Sequence, residues 1–243
     1  MQGFQLEIWP EGTAFFRRAV EIWQEQAAAA IRQRGRFTVA LAGGNTPRKL
    51  YAALTQTPGI PWQQTWLFWG DERYVPPDHP ESNYGMVRRI LLETVGVPAS
   101  QVFPMPTQAG DPLRDAAEYE ATLQQIFGTE CPAFDLIWLG VGEDGHTASL
   151  FPGTAALQVQ HRWVTVGQKG EEPRLTLTYP VLNRAAQVVF LVAGASKAEI
   201  VKKALTTEAH LPCQSLNPQG RLLWLLDAAA AAELPLPAVA LLG

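Results

Sequence analysis

Histidine titrates near neutrality without help from its surroundings. Of the four histidines in the chain, His146 has the setting best suited to moving a proton. It closes the stretch Gly140-Val-Gly-Glu-Asp-Gly-His146, where Gly140, Gly142 and Gly145 free the loop to carry a side chain over the end of an apolar strand. Asp144 or Asp71 could hold the second ring nitrogen and so select the tautomer. An imidazole held this way can take a proton from water, typically contributing about 10²–10⁴ in rate. His79 lies in a Pro-rich loop, His161 in a polar stretch and His210 near Pro212, and each reads as solvent-facing.

An anion cradle is the second chemical feature. Gly43-Gly44-Asn45-Thr46-Pro47 follows an apolar run, so the backbone can approach a ligand while the N–H groups opening a helix point at it. Asn45 or Thr46 would cap that helix, with Pro47 in its first turn. The spacing matches neither a dinucleotide fingerprint nor a Walker loop. Arg174, a bidentate fork, and Lys197, a point charge, supply what a phosphate needs. Asp71-Glu72-Arg73 adds two carboxylates and another cation. Asp71, Glu72 and Asp144 lack histidine and carboxylate companions at ligand spacing, so no metal is expected. Ser149 and Cys131 have no nucleophile-elbow context. Cys131 and Cys213 match neither a zinc pair nor a dithiol motif and read as buried or incidental thiols in a reducing compartment.

These clusters share one kind of position: the end of an apolar run. Phe4–Trp9, Phe37–Ala42, Thr65–Trp69, Phe134–Gly140, Val188–Ala193 and Leu222–Leu226 read as strands, with shorter ones at Trp163–Val166 and Arg174–Thr178 around a polar loop at Gln168–Glu172. Thr13–Arg34 has apolar residues at Phe16, Val20, Trp23, Ala27 and Ile31, a helical period stopped by Gly35. Further helices are expected from Asn45 to about Gln56, Asn83 to Thr94, Pro112 to Phe127 and Ser196 to about Leu205, and the alanine-rich stretch after Leu226 is expected to pack as another. Strands alternating with helices predict an α/β fold: a single-domain, Rossmann-like, mostly parallel sheet with helices on both faces, spanning residues 1–243. Such sheets bind ligands at the carboxyl ends of their strands. Four such ends, at Gly43–Thr46, Asp71–Arg73, Glu143–His146 and Ser196–Lys197, carry more polar chemistry than turns require.

Composition narrows the function further. The chain has 243 residues, 47% hydrophobic and 17% charged, with a net charge of −4. That is enough apolar content for a sizeable core and excludes wholesale disorder. Mild acidity argues against a nucleic-acid or membrane-surface partner. No apolar run approaches the ~20 residues of a membrane span; the longest candidate, Leu234–Leu242, is broken by Pro235 and Pro237. Glu7, Pro10 and Glu11 stand where a secretory signal would be basic and then apolar. A cytoplasmic location is expected.

In this order the clusters resemble the 6-phosphogluconolactonase family. The segments are Leu41-Ala-Gly-Gly-Asn-Thr-Pro47, Gly70-Asp-Glu-Arg-Tyr-Val-Pro76, Ser82-Asn-Tyr84, Gly140-Val-Gly-Glu-Asp-Gly-His-Thr-Ala-Ser-Leu-Phe-Pro152, Pro173-Arg-Leu-Thr-Leu-Thr178 and Gly194-Ala-Ser-Lys197. They span about residues 37 to 204, and the Asp-Gly-His-Thr-Ala-Ser-Leu-Phe-Pro stretch is the most specific. Asn45 stands where many members have Ser, and both are N-cap residues. The resemblance implies hydrolysis of 6-phosphoglucono-1,5-lactone to 6-phosphogluconate, a step of the oxidative pentose phosphate pathway, with no metal or organic cofactor. The partner implied is a small phosphosugar lactone, and a monomer is compatible with this.

On that resemblance the phosphate would anchor on the Gly43–Thr46 backbone with Arg174 and Lys197, and His146 would activate the water attacking C1. Arg73 or a backbone N–H would steady the oxyanion. Glucosamine-6-phosphate deaminase/isomerase is the nearest alternative. It follows Asp-Gly-His with Ile-Ala-Phe-Asn-Glu, whose carboxylate helps catalysis, whereas Thr147-Ala148-Ser149-Leu150-Phe151 stands here. A non-catalytic phosphosugar-binding module is the other alternative.

Overall fold

Five consecutive buried residues, Phe37–Leu41, have no polar face to offer water. A strand of that kind must be covered on both sides, as in a parallel sheet. The computed structural model, which describes residues 3–128 and 130–235, has this architecture. In chain order the first elements are β1 (Gln5–Trp9), α1 (Thr13–Arg34), β2 (Phe37–Leu41), α2 (Asn45–Thr55), β3 (Thr65–Trp69), β4 (Asp71–Arg73), α3 (Asn83–Val87) and β5 (Val102–Phe103). They are followed by α4 (Pro112–Phe127), β6 (Leu136–Leu139), β7 (Val164–Lys169), β8 (Glu172–Leu177), α5 (Tyr179–Arg184), β9 (Gln187–Val192), α6 (Ala198–Thr206) and β10 (Arg221–Asp227).

Seven strands form one parallel sheet in the order β1-β10-β9-β6-β2-β3-β5. From β2 the chain moves outward to β3 and β5, and from β6 it moves the opposite way to β9 and β10. The order therefore reverses between β2 and β6, which opens a crevice at their carboxyl ends. The sheet's side chains interlock with the helices in a continuous core in which Trp23, Trp69, Trp138 and Trp224 are all fully buried. α1 presents Phe15, Ala19, Trp23, Ala27 and Ala30 to that core and stops at Gly35, whose left-handed φ of 73° lets its N–H reach the Ile31 carbonyl at 2.8 Å.

A second sheet, absent from the sequence-based expectation, joins β4, β8 and β7 in antiparallel order. The Asp71-Glu72-Arg73 cluster, expected as a loop at a parallel strand's end, is itself a strand there, with Arg73 directly opposite Arg174. Between β3 and β4 lies Gly70 alone. Its N–H donates to the Leu41 carbonyl of the parallel sheet and its carbonyl accepts from Leu177 N–H of the antiparallel one, both at 2.9 Å.

Other expectations need correction. Gly44 is the N-cap of α2, which begins at Asn45, so neither Asn45 nor Thr46 caps it. The helix expected over 83–94 is α-helical only to Val87 and widens into a π-turn over Arg88–Leu92. The alanine-rich stretch after Leu226 is a run of turns as far as Leu234, not a helix. The remainder of the apolar tail, through Leu242, lies outside the described residues. Among the described residues no helix is long and apolar enough to cross a membrane.

The small sheet is pressed against the His146 loop at Gly167 of β7, where a Cβ would lie 2.1 Å from the Ser149 carbonyl oxygen. Backbone cannot step aside as a flexible side chain can. Gly167→Ala is expected to cost about 1–3 kcal/mol, read by chemical denaturation; an unchanged midpoint would show that the loop yields freely.

Candidate active site

The crevice between β2 and β6 is a cleft of about 270 Å³, near the small end of the ~300–1,000 Å³ usual for ligand sites. Residues from every cluster meet there. Gly43 and Gly44 come from the end of β2, Asp71 and Arg73 from β4, His146 from the loop after β6, Arg174 from β8 and Lys197 from the turn after β9. Asn45 and Thr46 are not among the lining residues; they open α2 just behind the glycines. Trp138, on β6, forms part of the wall, and its buried indole N–H has no hydrogen-bond partner.

His146 is held on three sides. Its Nδ1 meets Asp144 Oδ1 at 2.5 Å, and the same oxygen accepts from the His146 backbone N–H at 3.0 Å. One ring face lies 4.3 Å, centroid to centroid, from Phe151. Against the ring sits Gly142, where a Cβ would come within 2.0 Å of Nδ1. The glycine is therefore required by the imidazole's position. Of the two carboxylates weighed as its orienting partner, Asp144 contacts the imidazole. Asp71 is engaged elsewhere: its Oδ2 accepts from Ser149 Oγ at 2.6 Å. Partial burial opposes ionisation of Asp144, but hydrogen bonds from the His146 backbone and ring outweigh it and hold the carboxyl below its ordinary range. The pair's contribution to stability is thus present at neutral pH and lost as pH falls through that lowered value.

Three cations, Arg73, Arg174 and Lys197, line the cleft. Arg73 and Arg174 face each other across neighbouring antiparallel strands, a placement of like charges that is unfavourable unless something negative lies near both. Arg174 is only 8% exposed. Among the described residues its Nε is buried without a partner, its Nη2 has Glu172 at 3.7 Å, and its guanidinium stacks over Phe151 at 5.6 Å. Arg73 likewise has an unpartnered buried Nε, while its Nη1 donates to the Glu81 carbonyl. At the mouth of β2, Gly44 has a φ of 102° and no side chain caps the helix it precedes, so the first N–H groups of α2 remain available to a ligand. Among the described residues no group of three or more His, Cys, Asp and Glu side chains is arranged to hold a metal ion. Cys213 is buried and Cys131 half-buried, both as free thiols.

Two residues that support the site went unassigned in the sequence reading. Asn83 lines the cleft beneath Gly43, so closely that a Cβ on Gly43 would lie 1.9 Å from its amide oxygen, and its Nδ2 donates to the Asp71 carbonyl at 2.9 Å. Glu72 points away from the cleft and gathers the start of α3. It accepts from the N–H groups of Arg73, Asn83 and Tyr84 at 2.7–2.8 Å and from Ser82 Oγ at 3.1 Å. Burial pushes its carboxyl up to about 7, against the pull of those backbone donors and with a further push from the Asp71 charge. The signal for both was the Ser82-Asn-Tyr84 segment, whose Ser caps α3.

This combination of a doubly wound sheet, a cationic cleft at its switch point and a carboxylate-held histidine defines a phosphosugar-enzyme class. The chain belongs to the family of glucosamine-6-phosphate isomerases and 6-phosphogluconolactonase, which it matches over residues 10–224. It is 47% identical over 235 residues to a 6-phosphogluconolactonase of Nostoc sp., covering 94% of this chain and 98% of that protein. It is 48% identical over 236 residues to one of Synechocystis sp., covering 95% and 98%. Among solved structures, a 6-phosphogluconolactonase from Trypanosoma brucei superimposes with a TM-score of 0.86 at 30% identity, covering 96% of this chain and 99% of that one.

Glu72→Gln tests the support. The amide keeps one acceptor but turns an NH₂ toward groups that already donate. A loss of about 1–3 kcal/mol is expected, with the wild type itself losing the advantage of a protonated Glu72 as pH rises from the ordinary carboxylate range through about 7. Equal stability of the two proteins across that range would remove Glu72 from this role.

Proposed function

We propose that this protein hydrolyses 6-phospho-D-glucono-1,5-lactone to 6-phospho-D-gluconate, a step of the oxidative pentose phosphate pathway, using water as the nucleophile and no cofactor. The observation that carries the reading is the His146–Asp144 pair opening onto the same cleft as Arg73, Arg174 and Lys197. One half of the site can move a proton, and the other can hold a phosphate. The relatives named above support the same activity.

With Nδ1 occupied by Asp144, Nε2 of His146 is the nitrogen that takes the proton. It accepts that proton from a water whose oxygen bonds to the lactone C1. Asp144 stays ionised and steadies the imidazolium that forms, as in other carboxylate–histidine pairs. Arg73 Nε or a backbone N–H stabilises the tetrahedral oxyanion; losing such a donor typically costs about 2.7–4 kcal/mol of barrier. Collapse breaks the bond between C1 and the ring oxygen. The ring oxygen takes the proton back from His146, and the new carboxylic acid ionises. Arg174, Lys197 and the backbone at Gly43–Thr46 hold the phosphate, whose binding energy orients the reacting carbonyl.

Amino-sugar deamination would need an acid or base that the sequence after His146 does not supply. A purely binding role would leave the oriented imidazole without use. The reading takes the chain as one domain, working in the cytoplasm on a small phosphosugar lactone, without nucleic acid.

A coupled spectrophotometric assay of lactone hydrolysis, run beside ammonia release from glucosamine 6-phosphate, is expected to give turnover only in the first. Ammonia release without lactone hydrolysis would reverse the assignment, and silence in both would favour the binding module. His146→Ala is expected to lower kcat by about 10²–10⁴ with product affinity retained. Arg174→Ala is expected to act mainly on KM; an unmoved KM would put the phosphate elsewhere.

A further inference from the structure

The turn that brings Lys197 to the cleft is shaped by a carboxylate that the mechanism does not use. Asp227, the last residue of β10, is buried with 5% exposure. Both of its oxygens accept from the Gly194 N–H at 3.0 Å, and Oδ1 also accepts from the Ala230 N–H at 2.8 Å. The Gly194 carbonyl in turn accepts from the Lys197 N–H at 3.0 Å. Two hydrogen bonds thus lead from the carboxylate to the backbone of the cation.

The turn runs between β9 and α6, both packed in the core. Gly194 has a φ of 96°, in the left-handed region that favours glycine, and no atom lies within 4 Å of where its Cβ would be. No neighbouring side chain packs on Gly194 itself. A charge-assisted bond to a backbone N–H is about twice as strong as a neutral one, and burying a carboxylate is costly unless its lone pairs are used. The turns after β10 supply the remaining donor: Ala231 N–H returns to the Asp227 carbonyl at 3.1 Å, which brings Ala230 N–H round to the side chain. The alanine-rich stretch, which the mechanism leaves idle, thereby completes the shell of this carboxylate.

We propose that Asp227 is a positioning residue for Lys197, fixing the Gly194–Lys197 turn so that the ammonium group is held ready for the substrate's phosphate. The inference rests on the reading of Lys197 as a phosphate ligand. It assigns Asp227 no contact with the lactone and no part in proton transfer.

The test is a double-mutant cycle with Asp227→Asn, Lys197→Ala and the pair, measuring KM and kcat for the phosphorylated lactone and the Kd of 6-phosphogluconate. Asp227→Asn is expected to raise KM and Kd about tenfold, with kcat affected far less. In the Lys197→Ala background the same substitution is expected to add nothing, because the group it positions is gone. Equal effects of Asp227→Asn with and without Lys197 would overturn the proposal, as would a fall in kcat at unmoved KM. Lys197→Ala leaving KM and Kd unchanged would instead overturn the phosphate reading itself. Should Asp227→Asn fail to fold, Gly194→Ala disturbs the same turn from the other side of the hydrogen bond. It must show the same dependence on Lys197 for the proposal to stand.

Discussion

The cleft depends on the junction between the two sheets, where Gly70's two hydrogen bonds stand beside the Asn83–Asp71 and Ser149–Asp71 contacts. Gly70 donates to Leu41 in the parallel sheet and accepts from Leu177 in the antiparallel one, and the chain passes from one sheet to the other at that point. Across this junction the glycine backbone at the end of β2 and two arginines of the small sheet share one crevice. The parallel sheet contributes the switch point that any doubly wound fold has. The small sheet adds two guanidinium groups to the Lys197 and His146 that the parallel sheet's loops bring to the crevice.

Holding those groups in place has an electrostatic cost that the rest of the cleft is built to bear. Arg73 and Arg174 stand opposite one another on neighbouring strands, and each keeps a buried Nε without a partner. Phe151 offsets part of this, since its ring lies under the Arg174 guanidinium and also against the His146 imidazole. The Arg174 guanidinium and the His146 imidazole thus share one aromatic wall. Beneath them Ser149 ties Asp71 down and Glu72 ties the start of α3 down, so the carboxylates of the Asp-Glu-Arg cluster act as struts on opposite sides of β4.

Much of the main sheet was legible from apolar runs alone, because strands buried on both faces have no alternative pattern to display. Which segments approach each other was harder. The residues Asp71–Arg73 look like the end of β3, and only the pairing with a distant β8 makes them a strand of their own. Likewise the choice between Asp144 and Asp71 beside His146 turns on a loop path that three glycines leave open in sequence. Position at a strand's end pointed to His146 and Lys197, whereas Arg174 stood out only as a cation that a phosphate needs. The sequence reading was silent on Asn83 and Asp227, whose work is to hold backbone, a task that any polar residue type performs somewhere. The alanine run misled because helix propensity is a weak prior: past Asp227 its N–H groups reach back three residues, to Ala229 and Ala231, in turns.

Trp138 stands in the wall of the cleft with its indole N–H unsatisfied, while Trp69 lies one strand beyond β2 in the same layer of the sheet. An indole's emission responds to the polarity and charge of its surroundings. On the proposed reading, an anionic sugar in the crevice would set a dianion against the wall to which Trp138 belongs, an optical gauge of occupancy readable without following any reaction.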